Sequence, residues 1–446
     1  MVHGRNKSRR PCFGISTRLW LVALLAVSLV YSVVSAEAGA KKGSVAFHYA
    51  ASLTDEELSW LQRFEIVVPA AILPQSQIDR LHEAGSRLFF YEWATGLYID
   101  NPRSLAPGSW EALVYKNRKT WLLNPNRPDP GPDGWNHAYY YDPYQPSFQK
   151  AWVDQLNATR VSSTYDGVFF DLVGSIYVPS KLLRTYNSRH PRSPYDASLA
   201  TMVDNVGQTG SLVFTNQGYR TAEYYLPVTD YDLTESLATS YAWGQSVTLY
   251  VEGEGLVQKE ETFYRSWSDL KWILGDIQAK VERYNPAVKI VHLSYTNAFY
   301  EPTGAVIPVA GKSYPVYRKV VDRAAIYYGY VAAKLWSHES YSPGPTLSFS
   351  QDEVYFSDLG EPLGNGYEER DGVVLRYYEK GVVVLNPSAV GQTVDLSSLL
   401  VPPGVAGLQD LYDNVTVFGL TVTIDPTSSS ASGRVYPSGR VYLYQN

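Results

Sequence analysis

The 446-residue sequence contains one cysteine, Cys12, and it lies ahead of the long apolar run near the N-terminus. Beyond it no thiol is left to form a disulfide, ligate a metal or act as a nucleophile. The seven histidines are scattered without ligand spacing. The motifs His-Glu-x-x-His, Gly-x-Ser-x-Gly and Gly-x-x-x-x-Gly-Lys-Ser/Thr are all missing, which removes the sequence signs of a zinc protease, a serine nucleophile elbow and a phosphate loop. No metal and no cofactor is expected. Positive charge is also scarce: the net charge is −6, and no basic stripe interleaved with aromatics follows the N-terminal segment. That argues against a nucleic-acid partner.

Residues 1–40 read as a signal peptide. Arg5, Lys7, Arg9, Arg10 and Arg18 make a basic region, Leu19 to Val34 an apolar one, and Val34-Ser35-Ala36 offers the small residues of a cleavage site. The apolar run is short against the roughly 20 residues of a spanning helix. The expectation is a secreted or cell-surface protein, with membrane anchoring only through an uncleaved segment.

The whole sequence is 45% apolar and 18% charged, a balance that supplies a sizeable core. The length exceeds one ordinary domain. Short apolar runs alternate with helical patterns. Strands are expected at 44–49, 64–68, 87–91, 167–170, 211–215, 231–234 and 288–294, with an eighth around Leu347–Phe349. Between them, Thr54 to Glu57 forms a capping box, and helices are expected from Pro74, from Ser147, over Trp267–Val281 and near Val316–Trp336. Alternation at this spacing implies βαβ units and a parallel sheet. From about residue 352 the pattern changes to period-two strands, with a hairpin signal at Glu379-Lys380-Gly381. The reading is an α/β chain: a (β/α)₈ TIM barrel over 41–350, then a small all-β sandwich domain over 351–446.

Within that frame Tyr165-Asp166-Gly167-Val168-Phe169-Phe170-Asp171 is the focal stretch. An apolar strand ends on a carboxylate, which must be solvated, paired or used, at the strand end where barrels build their sites. Glu92 and Glu235 end two other strands in the same way. Paired carboxylates are the equipment of glycosidic cleavage, although each acid alone also reads as a strand-end cap. Asp171 is assigned as nucleophile or base and Glu235 as general acid, with Glu92 as a binding or assisting carboxylate. His48, Tyr49, Asn216 and Tyr295 end further strands and could hydrogen-bond sugar hydroxyls. Aromatics make up 14% of the chain, and rings such as Trp93 and Trp135 offer flat apolar faces to sugars. Both lie in or beside an irregular, aromatic-rich insertion at 94–146, expected on the active-site face. Asp142, ahead of Pro143, turns the chain, and Asp166 opens the focal strand at the far end of the barrel.

Asp142-Pro143 before a helix, followed by Tyr165 to Asp171, resembles the pattern of TIM-barrel glycoside hydrolases related to the endo-α-1,4-polygalactosaminidases and the wider α-amylase-like barrels. Phe214-Thr215-Asn216-Gln217-Gly218 and Tyr231-Asp232-Leu233-Thr234-Glu235-Ser236 are similar to two further strand ends of that group. Arg376 to Pro387 resembles the β-sandwich that follows many such barrels. The resemblance implies a glycoside hydrolase with a polysaccharide or oligosaccharide substrate. Between Ser246 and Thr262 the family pattern is missing, so no particular sugar carries over. The alternative is a carbohydrate-binding or cell-envelope scaffold whose barrel has lost catalysis.

Overall fold

The computed structural model describes residues 43–48, 53–131, 137–294, 299–320, 322–342, 353–425, 428–429 and 435–446. The leader lies outside the described residues. Eight parallel strands close into a barrel: β1 (Gly43–His48), β2 (Phe64–Pro69), β3 (Arg87–Trp93), β4 (Gly167–Asp171), β5 (Leu212–Asn216), β6 (Tyr231–Thr234), β7 (Lys289–Leu293) and β8 (Glu339–Ser342). Each pairs with its successor, and β8 closes on β1 through Val45 opposite Tyr341.

Strand side chains alternate between two environments, as the pleat requires. Val45, Phe47, Ile66, Val68, Phe89, Phe169, Phe214, Tyr231, Leu233, Val291 and Leu293 fill the barrel interior. The intervening residues Ala46, Val67, Leu88, Phe90, Val168, Phe170 and Val213 face the helical layer. The expected helices form: the capping box of Thr54 and Glu57 is complete, Pro146–Ser162 buries Phe148, Trp152 and Leu156, and Trp267–Tyr284 buries Leu270, Leu274, Ile277 and Val281.

Two elements differ from expectation. The eighth strand is Glu339–Ser342, and residues 347–349 lie outside the described residues. This strand is polar, so hydrophobicity alone passes over it; Glu339 is held by Lys334 Nζ at 2.9 Å and by the Ser44 hydroxyl. The helix expected from Val316 starts at Arg323, capped by Asp322 accepting from the Ala325 amide. Residues Lys312–Val320 are instead a strand, in keeping with the Tyr and Val at positions 314, 316, 317 and 320.

That strand belongs to a pair of long hairpins rising after β6 (Thr239–Val251 with Gly255–Tyr264) and after β7 (Phe299–Val309 with Lys312–Val320), joined where Tyr250 pairs with Val316. Glu252 and Glu254 form ion pairs there with Arg318 and Lys319. The described residues of the insertion after β3 carry a helix at Trp110–Lys116 and a small three-stranded sheet. Among its described rings Trp121, Tyr139, Tyr140 and Tyr141 are buried, Trp110 and Tyr115 pack against the core, and Tyr98 and Tyr144 are exposed. Half of the described rings of the insertion are therefore core packing rather than cleft surface.

Residues 42–446 form one compact unit. At the C-terminal end, six antiparallel strands make a sheet. One face, with Val374, Tyr378, Val383, Leu385 and Val441, packs on the helix Arg323–Leu335. The other, with Leu375, Tyr377, Val384 and Tyr442, packs on the two-stranded ribbon of Gln392–Asp395 and Thr421–Ile424. The result is a sandwich-like β layer. Among the described residues no helix is long and apolar enough to cross a membrane.

Candidate active site

Three adjacent strands end on polar side chains that share the parity of the barrel interior. Asp171 follows Phe169 on β4, Asn216 follows Phe214 on β5, and Glu235 follows Leu233 at the end of β6. The Asn216 side-chain amide joins the two acids: its Nδ2 donates to Asp171 Oδ1 at 2.7 Å and to Glu235 Oε2 at 2.9 Å. Those two distances cap the gap between the carboxylate oxygens at 5.6 Å. Asp171 accepts two further bonds, from the Tyr91 hydroxyl to Oδ2 at 2.6 Å and from the Leu172 amide to Oδ1 at 2.8 Å. A cavity of about 230 Å³ opens over the group, lined by Phe47, Ala70, Tyr91, Phe169, Leu233 and Leu293 together with the three polar residues.

Burial raises the Asp171 carboxyl above the usual aspartate range. The Tyr91 and Asn216 donors oppose that, and the nearby Glu235 charge adds to it. Tyr177 and Arg220 border the two acids. Burial raises the Tyr177 phenol, with the Arg220 charge opposing and the Asp171 and Glu235 charges adding.

The chain leaves all three strand ends in the same unusual way. Leu172, Gln217 and Ser236, each immediately after a site residue, have φ of 53°, 62° and 60°. A left-handed backbone costs a residue with a side chain on the order of 1–2 kcal/mol, and strain of this kind clusters at functional sites.

Glu92 does not join the group. It has the outward parity of Leu88 and Phe90 and lies against the helix Pro146–Ser162, where Trp152 Nε1 donates to its Oε1 at 3.0 Å. Burial pushes its carboxyl up to about 7, the Trp152 bond opposing. Its neighbour Tyr91 holds the inward position that the strand-end reading gave to Glu92. His48 likewise has the outward parity of Ala46 and is buried, within electrostatic reach of Glu57, while Phe47 faces the cavity. Trp93 is buried at the rim against Tyr98 and Tyr140, its Nε1 bonded to Thr95 Oγ1, and ties the insertion down. Tyr49, Trp135 and Tyr295 lie outside the described residues. Asp142 is buried beside Arg189 and His190. Asp166 caps the far end of the barrel by accepting from the Leu88 amide, with His82 at 3.0 Å. Tyr91, Tyr177 and Arg220 were not anticipated, although period-two alternation along β3 singles out Tyr91. Among the described residues no group of three or more histidine, cysteine or acidic side chains could hold a metal.

A (β/α)₈ barrel with a carboxylate pair at the C-terminal rim is the class that fold and site define. No family model matches the chain, and no curated protein matches it. Among solved structures it is similar to the glycoside hydrolase domain of PelA from Pseudomonas aeruginosa, at 19% identity and a TM-score of 0.40 over 57% of this chain and 84% of that one. Amy13B of Eubacterium rectale is 11% identical with a TM-score of 0.49, over 91% and 96% of the two chains. Aspergillus fumigatus Ega3, solved with galactosamine, is 11% identical with a TM-score of 0.33, over 57% and 78%. Likenesses this distant carry neither substrate nor chemistry across.

Proposed function

We propose that this protein is a glycoside hydrolase acting on a polysaccharide or oligosaccharide, with Asp171 as nucleophile and Glu235 as acid and base. The observation that carries the reading is the single Asn216 amide bonded to both carboxylates at the open end of the barrel. Three donors converge on Asp171, from Tyr91, Asn216 and Leu172. Such donors favour the ionised form that a nucleophile requires. In the first step Asp171 bonds to the anomeric carbon while Glu235 gives its proton to the departing glycosidic oxygen. In the second, Glu235 takes a proton from water, and the resulting hydroxide displaces Asp171. A separation near 5–5.5 Å is the spacing of enzymes that retain anomeric configuration, against roughly 6.5–9.5 Å for inversion. The 5.6 Å cap favours retention.

The buried Asn216 Oδ1 has no hydrogen-bond partner among the described residues. The leader features add that the chain acts outside the cytoplasm after cleavage near Ala36, a point decided by N-terminal sequencing of exported protein. Incubating the purified chain with a panel of polysaccharides and measuring reducing ends tests the hydrolase reading. Release from at least one is expected, and binding without release from any would favour a scaffold instead.

A further inference from the structure

The backbone on both sides of Asn216 is tied to one acid that never reaches the cavity. Asp232 lies on β6 with outward parity, between the inward Tyr231 and Leu233, and is 0% exposed. Its Oδ1 accepts from the Thr215 hydroxyl at 2.7 Å and the Gly218 amide at 2.8 Å, and its Oδ2 accepts from the Tyr219 amide at 2.9 Å. The Gln217 amide, between these anchors, donates to Leu233 O at 2.7 Å. A Cβ on Gly218 would meet Asp232 Oδ1 and Thr215 Oγ1, each at 2.9 Å, so the turn closes on the carboxylate only with glycine there. No cation lies within ion-pair distance of Asp232 among the described residues. Burying an acid this way is costly, and a simple turn has cheaper caps.

We propose that Asp232 is a positioning residue: by clamping Thr215, Gly218 and Tyr219 it holds the Asn216 amide between Asp171 and Glu235, and so sets the ionisation of Asp171. One side-chain NH₂ must meet two oxygens in different directions, a requirement that tolerates little movement. Once the turn relaxes, Asp171 loses the Asn216 donor that favours its ionised form, and its ionisation moves upward. The loop after Asp171 is anchored in a parallel manner, since buried Asp196 accepts from the Ser175 amide at 2.8 Å, the Ser175 hydroxyl at 2.6 Å and the Tyr225 hydroxyl at 2.9 Å. Two acids at the rim thus face the cavity while two outside it fix the loops that carry the site. Among the described residues, titratable groups facing the pair include Tyr91 from β3, Tyr177 from the loop after β4 and Arg220 from the turn after β5, with Tyr219 facing Asp232.

The proposal rests on the reading of Asp171 and Glu235 as the reacting pair, but its test needs no substrate. The Asp171 carboxyl is titrated by ¹³C NMR in the full chain labelled at aspartate side-chain carboxyls, its resonance assigned by its loss in Asp171→Asn. Asp232→Asn keeps an oxygen for Gly218 and Thr215 but turns an NH₂ toward the Tyr219 amide, opening the turn. It should raise the Asp171 midpoint by about one pH unit, the scale of one charge-assisted hydrogen bond. Asn216→Ala should raise it at least as far, and the double variant no further than Asn216→Ala alone. Thr215→Val, nearly isosteric, should give a smaller shift in the same direction and serves if Asp232→Asn fails to fold. An unmoved midpoint in Asp232→Asn, or in Thr215→Val where that substitute is used, overturns the proposal, as do additive shifts in the double variant. Absence of hydrolysis on every sugar would sink the hydrolase reading and leave this cycle standing.

Discussion

Glu92→Gln separates a half-buried structural acid, held by Trp152, from a reacting one. The glutamine keeps an oxygen for Trp152 Nε1, which donates to Glu92 Oε1 at 3.0 Å, and removes only the titration. In the folded chain the Glu92 carboxyl is pushed up to about 7 from 4.5, chiefly by burial. A folded-state value above the unfolded one means that the native state binds the proton more tightly. Stability from this group is therefore fully present below pH 4.5 and is lost as pH rises through about 7. At about 1.4 kcal/mol per pH unit, the penalty on the parent reaches about 3 kcal/mol at most above pH 8, and less where solvent reaches the carboxylate. Urea unfolding of parent and variant at pH 5, 6, 7 and 8 measures it. Glu92→Gln should exceed the parent by no more than about 1 kcal/mol at pH 5 and by up to about 3 kcal/mol at pH 8, with hydrolysis unchanged. A gain that does not grow with pH would refute the reasoning about burial. A loss of activity above about 10²-fold, the scale of an acid–base group, would return Glu92 to the site.

Three other outcomes are expected. Tyr91→Phe removes one of the three donors on Asp171, so the acid limb of the pH–kcat/KM profile should move up by about one unit; an unmoved limb contradicts the role given to that hydroxyl. Gly218→Ala forces a Cβ to within 2.9 Å of Asp232 Oδ1 and should cost about 1–3 kcal/mol by overpacking, read by urea unfolding; a neutral result would mean that the turn is not closed on Asp232. Hydrolysis followed by ¹H NMR of the first-formed anomer should show retention, and inversion would contradict the spacing argument.

The barrel is legible because seven of its strands are short apolar runs bounded by turn residues, and Asp171, Asn216 and Glu235 stand out as polar residues ending such runs. The eighth strand hides because Glu339 and Ser340 are polar and are accommodated by tertiary partners such as Lys334. Glu92 and His48 were assigned by nearness to a strand end. Register decides the face, and a step of one residue turns a side chain from the cavity to the helical layer. Counting parity from Phe89 and Val45 selects Tyr91 and Phe47 instead. The left-handed Leu172, Gln217 and Ser236 carry no local signal, since glycine or asparagine would ordinarily mark such positions. Asp232 reads locally as an ordinary strand residue, and its partners Thr215, Gly218 and Tyr219 meet it only through the pairing of β5 with β6.

The central claim is that Asp171 and Glu235 carry out the reaction. The direct test is initial rates of reducing-end release, on whichever polysaccharide the parent cleaves, for Asp171→Asn and Glu235→Gln beside the parent. Each amide keeps the side-chain size and an oxygen for the Asn216 donor, so folding and sugar binding should persist. The expected result is a loss of at least about 10²–10⁴-fold for each, with the melting temperature unchanged or raised for Asp171→Asn. Near-parental rates in both variants would contradict the account.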